Sequence, residues 1–265
     1  MKKTNRVVVV TGDSSGFGFE MIKLFIANGD KVYGISNSEF SYENLTHFVC
    51  DISDAKKCES VINEIGVNEG RIDVLINNAG FGISGSVEDT SIDTAHKIFN
   101  VNFFGAFYIT KFALPFMRTY GGKIINTSSI ASAVPLPFQG FYSATKCAMD
   151  TLFSALREEV HGYKISVTAI MPGDAKTGFT ANRVKNSSGE AYKEVCEKSV
   201  KTMEHDETNG ISPTRVALAA FKVSNKRKPP FTKLVGTKDS FLYGLFKVLP
   251  KRFRSWLLRK IYASK

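Results

Sequence analysis

Val7-Val-Val-Val-Thr-Gly-Asp-Ser-Ser-Gly-Phe-Gly18 decides the fold. The apolar β-branched run Val7 to Val10 is too short for a helix and reads as a buried strand. Gly12, Gly16 and Gly18 follow it and open a stretch of helical period from Glu20 to Ala27, with Gly29 as its stop. Glycines there permit a tight turn, close packing of helix on strand, and close approach of the backbone to an anion, which the helix N-terminus favours. A glycine-rich turn with this GxxxGxG spacing is also compatible with a turn and nothing more.

The pattern repeats outward from this turn. Strands are expected at Lys31 to Ile35, His47 to Val49, Asp73 to Ile76, Lys123 to Asn126 and Ile165 to Ile170. Helices are expected at Ala55 to Ile65, Ile92 to Met117 and Tyr142 to Val160. Strands alternating with helices imply an α/β fold with a single doubly wound parallel sheet, helices on both faces and a C-terminal helical cover. Ligands of such sheets sit outside the carboxyl ends of the strands, where strand order reverses. The segments to inspect are therefore TGDSSGFG at 11 to 18, Asp51-Ile52, NNAG at 77 to 80, NTSS at 126 to 129 and PGDAKT at 172 to 177. No boundary divides the chain before Gly178. The polar stretch 178–210, helical near Glu190 to Lys201, reads as an insertion over the ligand edge of one domain spanning 1–265.

With 265 residues, 43% of them hydrophobic, the chain can bury a sizeable core around one sheet. Cys50, Cys58, Cys147 and Cys196 form no CxxC pair, and His47, His96, His161 and His205 are scattered without metal-ligand spacing, so no metal site is expected. The basic start Lys2-Lys3 is followed by too short an apolar run for a signal peptide. No stretch reaches the about 18 apolar residues of a membrane span, and a cytoplasmic location is expected. Charge is uneven. Residues 222–265 hold 13 Lys or Arg against one acid, Asp239, while the rest of the chain is slightly acidic. Such a patch suits nucleic acid or an anionic membrane, and nothing in the chain resembles a nucleic-acid-binding module.

Six elements together resemble the short-chain dehydrogenase/reductase family: TGDSSGFG, Asp51 after the third strand, NNAG, a serine 13 residues before Tyr142, YSATK and PGDAKT. They occur in the family's order and spacing over roughly residues 5 to 180. FGISGSVEDT and LPFQGFYSATKCAMD are most similar to the branch with 17β-hydroxysteroid and retinol dehydrogenases. The resemblance implies a nicotinamide dinucleotide and hydride transfer between it and a carbonyl or alcohol. It implies that Gly12, Ser14, Ser15, Gly16, Phe17 and Gly18 hold pyrophosphate and adenosine ribose. Asp51 and Ile52 would meet adenine, and Asn78, Ala79 and Gly80 would line the cofactor trough. Asp51 as a helix cap and Asn78 as a turn former remain open alternatives. By the same resemblance Pro172, Gly173 and Thr177 would fix the nicotinamide, and Asn102, in NVNFFG, would bend a helix and hold a water beside the lysine.

Cofactor choice rests on Ser36 and Asn37, where the second strand ends. An acid there would bind a ribose 2′-hydroxyl and repel a 2′-phosphate, while an arginine would attract the phosphate. Neither is present, and the reading leans to NADP over NAD. Asp13 is expected to add negative charge near the adenosine ribose.

Tyr142 and Lys146 lie four apart on a helix, so both side chains reach one site. A phenol with a pKa near 10 is a poor acid or base at neutral pH, and a nearby cation stabilises its phenolate. Ser129 can hydrogen-bond a substrate oxygen. Ser128 competes for that role, and the family spacing selects Ser129. Lys146 would also hold the nicotinamide ribose.

Val134, Pro135, Leu136, Phe138, Phe141, Phe179 and Met203 in the flanking loops suit a hydrophobic substrate such as a steroid, retinoid or fatty ketone. Two short amphipathic helices carry Leu242, Leu245, Phe246 and Leu249, then Phe253, Trp256, Leu257 and Ile261, with basic residues between. They read as a cover on the pocket or a peripheral membrane contact. The family also implies a homodimer or homotetramer through 92–117 and 142–160. A non-catalytic dinucleotide-binding regulator is the competing reading.

Overall fold

In the computed structural model, which describes residues 5–186 and 188–263, five hydrophobic runs become the inner strands of one sheet. Lys2, Lys3 and Lys265 and the side chains of Lys238, Asp239 and Leu242 lie outside the described residues. β1 (Val7–Thr11) and β4 (Val74–Asn77) are nearly continuous apolar runs, and Ile124-Ile125 form the apolar centre of β6 (Gly122–Thr127), because helices cover these strands on both sides. With β2 (Lys31–Ser36), β3 (Leu45–Val49), β7 (Ile165–Pro172) and β9 (Thr232–Val235) they form a seven-stranded sheet ordered β3-β2-β1-β4-β6-β7-β9. All six pairings in it are parallel. The chain runs outward from β1 to β3 and then returns to the other side of β1 with β4. That reversal leaves a crevice beyond the carboxyl ends of β1 and β4.

The two sheet faces carry separate cores. α1 (Gly16–Ala27) and α7 (Pro213–Ser224) pack Met21, Ile22, Phe25, Val216 and Ala220 against Val8, Val10, Ile76 and Ile125. α2 (Ala55–Glu69), α4 (Ala106–Met117) and α5 (Gly140–Glu159) pack Ile62, Ile65, Ile109, Met117, Met149 and Phe153 against Val9, Ile35, Leu75 and Ile124. The alternation of inward residues along each strand thus feeds two layers of helix.

Three departures from the sequence reading have physical causes. The helix expected from Ile92 to Met117 is interrupted: α3 (Ile92–Phe99) and α4 are joined by a π-helical turn over Asn100–Gly105, which contains Asn102. The stretch 178–210 contributes β8 (Val184–Lys185), paired in parallel with β5 (Ile83–Ser84), and then α6 (Lys193–Thr208), which starts and ends later than its pattern suggests. The strand β9 is not announced by pattern, because its Thr232 and Lys233 are exposed at the sheet edge and Pro229-Pro230 precede it. The tail forms α8 (Thr237–Val248) and α9 (Lys251–Tyr262), separated at Pro250 as its helical spacing suggests.

Candidate active site

The glycine turn is forced by space as much as by φ. Gly12 and Gly16 adopt φ +69° and +55°, which disfavour a side chain. A Cβ on Gly18 would stand 2.0 Å from the Gly12 carbonyl oxygen, so the helix can approach the strand only with glycine there. Ser15 caps α1 without a side-chain hydrogen bond to its first turn, and Ser15, Gly16 and Phe17 border the crevice at this helix N-terminus. The cradle therefore fits a pyrophosphate.

Asn78 fixes this turn to its neighbours. Its Nδ2 donates to the carbonyls of Thr11 at 3.0 Å and Gly12 at 3.2 Å, and its Oδ1 accepts from Thr127 Oγ1 at 3.1 Å. Asn78 is thus a clamp between β1 and β6 as well as part of the crevice wall. Asp51 is exposed on the opposite rim and accepts from Ser53 N and Oγ, while the cap of α2 is Asp54, which accepts from Lys56 N and Lys57 N.

Asp13 does not face the adenosine end as the sequence suggests. It is wholly buried, turned toward β2 and β3, and its Oδ2 shares a hydrogen bond with His47 Nδ1 at 2.8 Å. Burial pushes its carboxyl pKa up, and His47 pulls the other way. Gly34 exists because of it: a Cβ there would stand 1.9 Å from Asp13 Oδ2. Ser36 is likewise buried and donates to the Ser38 carbonyl at 3.2 Å, whereas Asn37 stands exposed at the crevice rim.

A cleft of about 750 Å³ runs from the glycine turn and Asp51-Ile52, past Ala79 and Gly80, to Ser129, Tyr142 and Lys146. Pro172, Gly173 and Thr177 line its other side, and Thr177 comes within contact of the space above Gly16. Of the residues expected at the site, Gly18 and Asn102 lie behind this wall and the others are on it.

The reacting end is shielded by the fold. Tyr142 and Lys146 are both buried, and the Lys146 ammonium lies 5.8 Å from the Tyr142 ring centre while donating to the Thr127 carbonyl at 2.8 Å. Burial pushes the Tyr142 phenol up to about 12, with the Ser129 hydroxyl beside it pulling down. Burial also lowers Lys146 to about 8, with Asp150 opposing. Ser128 donates to Asp150 Oδ2 at 2.8 Å, so of the two serines it is Ser129 whose hydroxyl stands at the phenol.

Asn102 is spent on architecture. It accepts from Phe81 N at 3.0 Å and donates to Phe81 O at 2.9 Å and Thr145 Oγ1 at 3.3 Å. The π-helical turn thereby ties the loop after β4 to α5, one residue from Lys146.

Beyond this centre the walls are apolar. Val134, Leu136, Phe179 and Met203 line it, as expected, and the tail adds Phe246, Leu257 and Ile261. Pro135, Phe138 and Phe141 are not on the cleft wall. The sequence reading did not single out Glu207, Gln139 or Lys97, which also reach the cleft. Glu207 has no motif around it, and only the helical spacing of four from Met203 hints that both face one way.

The family model described as short chain dehydrogenase matches residues 6–188. A protein of Bacteroides thetaiotaomicron named 3-ketodihydrosphingosine reductase is 37% identical over 264 residues, covering 97% of this chain and 98% of its own. Dehydrogenase/reductase SDR family member 7B of Xenopus tropicalis is 32% identical over 84% of this chain and 75% of its own. Among solved structures, a short-chain dehydrogenase from Streptomyces avermitilis superimposes with a TM-score of 0.84 at 26% identity, each chain covered completely. A matched family model, a full-length relative and the cleft geometry agree: this chain belongs to the short-chain dehydrogenase/reductase family and is an NAD(P)-dependent oxidoreductase.

Proposed function

We propose that this oxidoreductase reduces the keto group of a long-chain, lipophilic substrate, with Tyr142 as proton donor. The observation that carries the reading is the convergence of Ser129, Tyr142 and Lys146 where a glycine-cradled cleft meets an apolar wall. The 3-ketodihydrosphingosine reductase of Bacteroides is a full-length relative, and its name describes a fatty ketone of this kind. That favours the fatty ketone over the steroid and retinoid alternatives.

Each residue's part follows from its surroundings. When bound, NAD(P)H supplies a hydride to the carbonyl carbon. Ser129 donates a hydrogen bond to the carbonyl oxygen and stabilises charge gathering there. Tyr142 gives that oxygen its proton. A phenol held near 12 is fully protonated at neutral pH, the state reduction needs, whereas alcohol oxidation would need it as a base. Lys146 opposes the resulting phenolate charge and returns a proton to it. Asn102 is a positioning residue that fixes the backbone opposite Thr145 and so the register of α5.

NADP is the favoured cofactor. Asp13 is buried against His47, and Asn37 at the rim brings no carboxylate toward a 2′-phosphate. A panel of long-chain, cyclic and small ketones, followed at the nicotinamide absorbance with NADPH and NADH, tests both statements. Preference for small ketones, or for NADH, would overturn the corresponding half.

Two further partners belong to this reading. The outer face of α9 exposes Phe253 and Trp256 between Arg252, Arg259 and Lys260, a composition suited to peripheral contact with an anionic bilayer. Among the described residues no helix is long and apolar enough to cross a membrane. Cosedimentation with anionic but not neutral vesicles is expected. Exposed Phe104 and Phe107 around the start of α4 support self-association through 92–117, which sedimentation velocity would detect.

A further inference from the structure

Asp150 is costly to bury for the one hydrogen bond it makes. Its Oδ2 accepts from Ser128 Oγ at 2.8 Å, and its Oδ1 is buried with no hydrogen-bond partner among the described residues. Burial pushes its carboxyl pKa up, while the Ser132 and Ser128 hydroxyls and the Lys146 charge pull the other way. An asparagine would accept the same bond from Ser128 without a buried charge, so that bond alone does not account for a carboxylate.

Its place on α5 does. Asp150 follows Lys146 by four residues, so the two side chains share one face a helical turn apart. Lys146 donates to the Thr127 carbonyl at 2.8 Å, and Ser128, the next residue, donates to Asp150. Two adjacent residues at the end of β6 are thus tied to two successive turns of α5. Ser129 continues the same segment, and its Oγ accepts from Ala131 N at 3.1 Å, which leaves the hydroxyl proton for a substrate oxygen.

Among the described residues, the other groups around the ammonium carry no charge. A Cβ on Gly80 would stand 3.7 Å from Lys146 Nζ and 3.0 Å from Asn102 Oδ1, so both of these adjoin it. Thr127 meets it from β6, and Tyr142, one turn earlier, is a neutral phenol. Asp150 is the charge that raises the Lys146 pKa against the burial that lowers it to about 8, and the same charge favours the protonated phenol of Tyr142. Asp150 also lines a second cavity of about 400 Å³, where the other charged residue, Arg157, is spent on the carbonyls of Val167, Pro229 and Pro230.

From this we infer that Asp150 is a positioning residue for the reduction: its charge keeps Lys146 in the proton-bearing state, and its bond from Ser128 holds the segment that carries Ser129. The margin is narrow. An ammonium with a pKa of about 8 is roughly nine-tenths charged at pH 7, and one pH unit less would leave about half. A carboxylate about 6 Å away in a protein interior supplies about one pH unit or more.

This inference rests on the reading of Tyr142 as proton donor, and the test separates the two. Asp150→Asn removes the charge and keeps an acceptor for Ser128, whereas Ser128→Ala removes the bond and keeps the charge. The Lys146 titration would be followed in the ligand-free protein by lysine-selective carbon NMR, assigned by the signal missing from Lys146→Met. Single-turnover oxidation of NADPH by a long-chain ketone would be followed from pH 6 to pH 9. Asp150→Asn should lower the Lys146 midpoint by about one pH unit, and its rate deficit should grow from within about twofold at pH 6 to about tenfold at pH 9. Asp150→Glu should restore most of the midpoint. Ser128→Ala should leave the midpoint in place and slow transfer by about threefold or more, equally at every pH. An unmoved midpoint in Asp150→Asn, or a deficit equal at every pH, would overturn the role of the charge, and a wild-type rate in Ser128→Ala would overturn that of the bond. If wild type reduces no ketone while the Asp150→Asn midpoint still falls, the reductase reading fails and the electrostatic support of Lys146 stands.

Discussion

Replacing Lys146 by methionine should stabilise the ligand-free protein at neutral pH while destroying its activity. The ammonium is buried, and its pKa falls from 10.5 in an unfolded chain to about 8. Holding that charge in the fold costs on the order of 3 kcal/mol, at about 1.4 kcal/mol per tenfold change in proton affinity. Methionine is of similar length and carries no charge. It loses the hydrogen bond to the Thr127 carbonyl, worth about 1 kcal/mol, and leaves Asp150 without the cation it faces. A net gain of about 1–2 kcal/mol corresponds to roughly 2–8 °C in Tm for a chain of this size. The pH dependence is distinctive. The unfolded chain holds this proton more tightly than the fold, so wild-type stability rises as pH climbs from about 8 to 10.5, and the advantage of methionine fades across that window. Thermal denaturation of both proteins without cofactor at pH 7 and pH 10 measures this. A variant less stable than wild type at pH 7, or a difference that does not shrink by pH 10, would refute the claim that burial holds Lys146 at a cost.

Asn37→Arg should raise the kcat/KM ratio of NADPH to NADH and Asn37→Asp should lower it, because this side chain stands on the rim. Ser36 is the worse position for an acid, since it is buried and its hydroxyl pulls on the Asp13 carboxyl. Gly18→Ala should cost several-fold or more in cofactor affinity, measured by fluorescence titration, since its methyl would collide with the Gly12 carbonyl. Ser129→Ala should lower kcat about a hundredfold with a small change in KM, the size expected for one donor to a developing oxyanion.

The doubly wound sheet was legible because its inner strands are short β-branched runs, and both the glycine turn and the Tyr142–Lys146 pair are local in sequence. What escaped depends on contacts distant in the chain. Asp13 reads as a charge beside the ribose until His47, 34 residues on, is seen to hold it beneath Gly34. Arg183 and Glu207 meet because α6 folds back over β8, and nothing in a polar stretch of 33 residues marks that pair. The interruption at Asn102 is invisible to periodicity, since a π turn inserts a residue without breaking the apolar run. The tail was readable as two amphipathic helices, and the structure puts the inner side of α9 on the cleft while Phe253 and Trp256 face outward, so cover and surface are two sides of one helix.

Carbonyl reduction here turns on the proton that Tyr142 gives to the substrate oxygen. Tyr142→Phe removes that proton donor and leaves the glycine cradle, Asn78 and Thr177 in place. Single-turnover oxidation of NADPH by a long-chain ketone, with NADPH affinity measured on the same preparation, should show hydride transfer slowed by at least about a thousandfold and affinity within about twofold of wild type. Transfer within about tenfold of wild type, with NADPH bound normally, would contradict the central claim.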